Sequence, residues 1–191
     1  YIKIGSELFK SDFTSLPENI TATDNGGVLA ITLNNYNSSV PLSVCAPNGV
    51  NITLNGNNYI CYETAQKSVY SPVNLTFSGS GSISCGVVQI NGLTVSGGCS
   101  LQISTGETTG SGYALKTTLS SCGNIDIKTN LDYGFELTGD SRIERALTIS
   151  CPETGITGNG SLTITGEETK LNITAKNGID ISNKVTVSNS A

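Results

Sequence analysis

A short triplet, apolar–Thr–apolar, keeps returning along the chain and limits what the chain can fold into. It stands in AITLNN (30–35), VNITLNG (50–56), VNLTFSG (73–79), GLTVSGG (92–98), ALTISC (146–151), SLTITG (161–166) and KVTVSN (184–189). NIDIKT (124–129) is an eighth copy, with Asp126 in the middle slot. The first apolar residues are Ile31, Ile52, Leu75, Leu93, Ile125, Leu147, Leu162 and Val185, separated by 21, 23, 18, 32, 22, 15 and 23 residues. A repeat of this length is that of a solenoid, in which each unit buries its apolar face only against its neighbours. The interval of 32 predicts a loop insertion between 104 and 122, and the interval of 15 either one tight coil or a mis-assigned strand.

Period-two alternation puts the flanking Ile, Leu, Val and Phe on one face of a strand and the middle residue on the other. Stacked in register, Thr32, Thr53, Thr76, Thr94, Asp126, Thr148, Thr163 and Thr186 would form one outer ladder over an apolar column. Thr stacks well between neighbouring strands, so the ladder has a purely structural reading; as a flat polar array it is also a candidate binding surface.

A second strand precedes most copies: VPLSV (40–44), GVVQI (86–90), GYAL (112–115), YGFEL (133–137) and NGIDI (177–181). A third follows some: GSIS (81–84), SLQIS (100–104) and KLNIT (170–174). Asn-Gly pairs such as 48–49 and 159–160 stand just before strands, where residues tolerant of positive φ suit tight corners. Three strands per turn predict an all-β fold, a right-handed parallel β-helix (a β-solenoid) of roughly seven to eight coils over residues 26–191. Residues 1–25 are expected to be a cap or leading segment, with ELFKSDFTSL (7–16) the one stretch with any helical character.

Composition removes several functions. The net charge is −5 and the ten Lys and Arg are scattered, so the basic stripe that nucleic acid requires is missing. No apolar run is long enough to span a membrane. With no His there is no nucleophilic triad, and no four Cys are spaced closely enough for zinc. The chain begins at Tyr1 without a signal-peptide pattern and reads as a mature product or an excised piece.

Six cysteines, at 45, 61, 85, 99, 122 and 151, admit two readings: disulfides of an oxidising compartment, or small apolar residues of a stacked core. Cys61 and Cys85 sit at similar offsets in consecutive repeats, which predicts a disulfide between them if their side chains face. N-x-[ST] triplets at Asn19, Asn37, Asn51, Asn74, Asn159 and Asn172 are glycan acceptors if the chain is secreted, or chance products of a chain rich in Asn, Ser and Thr. The densest ionisable stretch holds Asp126, Asp132, Glu136 and Asp140, which are read either as an acidic groove or as a solvated face with local ion pairs.

VNITLNG (50–56), VNLTFSGSGSIS (73–84) and GSLTITGEETKLNIT (160–174), with GIDI (178–181), resemble the β-helical carbohydrate-binding domains of anaerobic bacterial surface proteins. The resemblance is one of repeat style and covers roughly residues 26–191. Those domains are similar to pectate lyases in shape, and some bind plant polysaccharide and calcium. The resemblance implies a secreted, cell-surface, glycan-facing role without catalysis, with calcium the one cofactor it brings in. This chain departs from the pattern. It has no Trp, its seven Tyr are dispersed, and its Asp residues show no regular calcium spacing, so no binding residue carries over. Three functions stand after this reading. The first is an adhesin or carbohydrate-binding module. The second is a subunit that self-assembles head-to-tail into an extracellular filament. The third is a polysaccharide lyase or hydrolase.

Overall fold

The computed structural model describes residues 1–10 and 13–188. They form an all-β solenoid of about seven turns, and no helix occurs among them. Each turn visits three faces in the same order, here called A, B and C.

Face A stacks Val28–Asn34, Val50–Asn55, Leu75–Gly79, the end of Val87–Val95, the end of Ser100–Ser121, Ser141–Ile143, Leu162–Thr165 and Val185–Ser188. Face B stacks Asn37–Ser38, Asn57–Ile60, Ser82–Cys85, the starts of Ser100–Ser121 and Asn124–Leu137, Leu147–Ser150 and Leu171–Thr174. Face C stacks Leu42–Val44, Lys67–Ser71, the start of Val87–Val95, the middle of Ser100–Ser121, the end of Asn124–Leu137, Thr154–Gly158 and Asn177–Ile181. All of these pairings between turns are parallel. The second and third strands expected from the sequence are thus faces C and B.

Alternation decides what each strand buries. On face A, Ile31, Ile52, Phe77 and Val95 succeed one another in register and are buried; on face C, Leu115, Phe135 and Ile156 do the same. Burying one such side chain stabilises the fold by roughly 1.5–3 kcal/mol. Asn58 occupies an inward slot on face B and is fully buried. It is satisfied there, because its Oδ1 accepts from Tyr36 N at 2.9 Å and its Nδ2 donates to Ser82 O at 3.0 Å. At the corner from C to A the turns approach so closely that a Cβ on Gly160 would lie 2.0 Å from Gly139 O.

The two ends differ. Ile2–Ile4 runs antiparallel to Leu42–Val44 and to Glu7–Phe9, while Ile20–Asn25 runs antiparallel to Val28–Asn34. These strands close faces C and A over the first turn, and Ile2, Ile4 and Ile20 are buried beneath them. No helix forms in the described part of 7–16; Ser11 and Asp12 lie outside the described residues, as do 189–191 of the last repeat. The last described turn has no such cover, and Val185 and Val187 are 41% and 70% exposed.

The single threonine ladder does not form. Thr32 and Thr53 are in register, but Thr53 then meets Ser78, while Thr76 meets Asn51 on one side and Thr94 on the other. The slip arises because Leu75 seats on Val50 instead of Ile52, an equally apolar inward slot two residues away. Asp126 and Thr148 pair with each other on face B; Thr163 and Thr186 pair on face A. The 15-residue interval therefore came from strands of different faces. Leu119 and Ser141 hold the face A positions that the triplet repeat assigns to Ile125 and Leu147. The expected insertion is smaller than a loop. Ser100–Ser121 bulges after Ser104, with three more residues up to Thr109 than its neighbour has between Lys128 and Asn130.

The cysteine bridge is absent as well: all six cysteines are free thiols. Cys85 is an inward residue between Ile60 and Ile103, with its Sγ toward Gln102 O, whereas Cys61 donates to Ser39 O in the opposite axial direction at 3.2 Å. Both side chains are buried packing elements, as the core reading had it.

Candidate functional site

On face B, outward residues of successive turns line up as Asn37, Tyr59, Ser84, Gln102, Asp126, Thr148 and Asn172. Beside them runs a second outward column of Asn57, Ser82, Ser100 and Asn124. The two columns line a groove of about 500 Å³ that extends from Asn57 and Tyr59 to Thr148. Ser84 Oγ bonds Gln102 Oε1 at 3.0 Å and Ser82 Oγ bonds Asn57 Oδ1 at 3.0 Å, so the lining is tied together from turn to turn.

Two tyrosines stand where the groove begins. Tyr59 projects from face B, 38% exposed. Tyr62 belongs to the corner leading to face C, yet its ring meets that of Tyr59 edge-on, with centroids 6.0 Å apart. The backbone explains how it gets there. Cys61 (φ 45°) and Glu63 (φ 59°) on either side of Tyr62 are both left-handed, a conformation costing a non-glycine residue about 1–2 kcal/mol. The corner is held in this shape by Thr64 Oγ1 donating to Cys61 O at 2.9 Å and by Gly86 N donating to Ser68 Oγ at 2.9 Å. Backbone strain of this kind is concentrated at binding and catalytic positions.

Burial and the Glu63 charge hold the Tyr62 hydroxyl above its ordinary pKa, with a smaller push from Asp126, while a hydrogen bond with Ser104 works the other way. The phenol therefore stays protonated at neutral pH. A second hollow of about 360 Å³, containing Asn37, Ser39 and Thr64, shares Tyr59 with the groove and adjoins Tyr62.

Asp126 is the only one of the four flagged carboxylates in this groove. Asp132 lies on the stretch that turns from face B to face C. Glu136 is on face C, with Lys116 Nζ at 2.7 Å from its Oε2. Asp140 lies on the turn from C to A, where its Oδ1 accepts from Ser161 N at 2.8 Å, in a separate depression of about 490 Å³ with Thr94 and Arg142. The acidic stretch is thus spread around the prism and does not form one groove. Among the described residues, no three Asp, Glu or Cys side chains converge as metal ligands would.

The threonines divide accordingly. Thr148 lines the face B groove and Thr94 the C–A depression, while Thr32, Thr53, Thr76, Thr163 and Thr186 project from face A outside both. All six sequon asparagines are exposed. Asn37 and Asn172 occupy the two ends of the face B column. Asn74 and Asn159 already accept from Asn91 and Ser182 through their Oδ1 atoms.

No protein-family model, curated protein or solved structure matches the chain.

Proposed function

We propose that the chain is an extracellular, non-catalytic β-solenoid that binds carbohydrate along face B. One observation carries this reading: an open polar groove spanning several turns begins at a pair of tyrosines that a strained corner holds together. Carbohydrate recognition uses an aromatic ring for the sugar's C–H face and planar amides or hydroxyls for its hydroxyls, and Tyr59, Asn57, Gln102 and Asn124 supply these groups, with Tyr62 set edge-on against Tyr59. The dispersal of Asp126, Glu136 and Asp140 supports a role without catalysis, because glycoside hydrolysis needs two carboxyl groups about 5–10 Å apart across one bond. The proposal involves no cofactor, and binding is expected to survive chelation of calcium. A glycan array followed by calorimetry tests it; no binding to any plant or host glycan at millimolar concentration would overturn it.

A second reading, end-to-end self-association on a cell surface, is favoured by apolar side chains exposed in the last described turn. Val185, Val187 and Ile179 are exposed there in slots that inner turns bury. Light scattering tests this reading: a concentration-dependent rise in mass that Val187→Lys abolishes would support it, and a monomer at all concentrations would remove it.

A further inference from the structure

Resting on that reading of face B, we infer that the ligand is an extended polysaccharide lying parallel to the solenoid axis, roughly one sugar per turn, and that it is neutral or amine-bearing and not a polyuronate. The first half follows from the direction of the groove. Its lining crosses five turns, from Tyr59 through Ser84, Gln102 and Asp126 to Thr148, and one hydrogen-bonding residue is offered at each. Four steps of about 4.8 Å span roughly 19 Å. A pyranose in an extended chain is about as long as one step, so successive sugars meet equivalent groups. A compact or branched glycan would meet only one or two of them.

The charge class follows from what lines the groove and what does not. Asp126 is its only ionisable side chain apart from Tyr59, and no Lys or Arg pairs with it. The nearest cation on its own strand, Lys128, lies in a different depression together with Glu63 and Glu107. Glu63, which shares that depression with Lys128, flanks Tyr62, so Asp126 keeps the groove itself negative. A chain with a carboxylate on every sugar would bring like charge onto Asp126 and find no basic partner in the groove. An amino sugar at the Asp126 turn would gain a charge-assisted hydrogen bond.

Calorimetry on the whole protein with three oligosaccharide series separates these outcomes: glucosamine oligomers, cello-oligomers and oligogalacturonates, each from dimer to hexamer. The expected order of affinity is glucosamine above cello-oligomer, with no binding of oligogalacturonate. Affinity should rise with each sugar up to about four or five and then level off. Asp126→Asn should weaken the glucosamine chain about tenfold, the size of one charge-assisted hydrogen bond, and the neutral chain by clearly less. Oligogalacturonate binding as tightly as the others, or equal loss of both chains in Asp126→Asn, would overturn the charge assignment while leaving carbohydrate binding in place. A plateau at the dimer would overturn the axial orientation. Failure of all three series together with an empty glycan array would overturn the proposed function itself.

Discussion

Truncating Phe135 tests whether the inner columns carry the fold. The side chain has 0% exposure and lies in register between Leu115 of one turn and Ile156 of the next. Phe135→Ala removes the ring from a slot that strands on both sides hold open, so little collapse can fill it. Removing a buried Phe in this way costs about 3–5 kcal/mol. A domain of this size shifts its melting temperature about 2–4 °C per kcal/mol, so a fall of roughly 6–20 °C is expected. Val187→Ala is the matched control: it is an inward-type slot of face A, but in the uncovered last turn and 70% exposed, so its cost should stay within about 0.5 kcal/mol. Thermal melts followed by circular dichroism, with urea titrations to compare midpoints and slopes, measure both. Since a solenoid's stability is a sum over turns and their interfaces, Phe135→Ala should also uncouple the halves and lower the urea slope. A Phe135→Ala melt no lower than that of Val187→Ala would refute the stacked-column account.

Gly160→Ala would drive a Cβ to 2.0 Å from Gly139 O, a backbone atom that cannot swing aside, and a loss of about 1–3 kcal/mol or more is expected in the same melts. Cys122 is exposed and should be the first thiol alkylated in the folded protein. Because the Glu144 carboxylate holding its S–H raises its pKa, Glu144→Gln should speed the reaction, as mass spectrometry of timed samples would show. Burial pushes the thiols of Cys61, Cys85, Cys99 and Cys151 above their ordinary range, so the unfolded chain loses these protons first as pH rises. Their contribution is whole below about pH 8.5 and drains away above it. The urea midpoint should therefore fall between pH 8 and pH 10, and a constant or rising midpoint would contradict it.

Much of this architecture was legible in the chain. Apolar alternation at intervals near twenty residues identified strands of all three faces, including the face C strands at 86–90, 133–137 and 177–181, but not Asn57–Ile60, Lys67–Ser71 or Thr154–Gly158. What local pattern could not convey was which face a strand joins. Ile125 with Ile127 reads the same as Leu162 with Ile164, yet they line faces B and A, because the side of a prism depends on corner lengths and not on the strand itself. Register was hidden for a related reason. Val50 and Ile52 are both apolar and two residues apart, and only packing chooses between them for Leu75. At the site, Asp126 stood out as the break in the threonine pattern. Tyr59 and Tyr62 did not, since residues three apart on a strand point to opposite faces. Left-handed Cys61 reverses that expectation, and nothing in its residue type announces a positive φ.

The antiparallel strands over the first turn leave its backbone no open side on faces C and A. Leu42–Val44 lies between Ile2–Ile4 and Lys67–Ser71, and Val28–Asn34 lies between Ile20–Asn25 and Val50–Asn55, so their amides should exchange with solvent as slowly as those of inner turns.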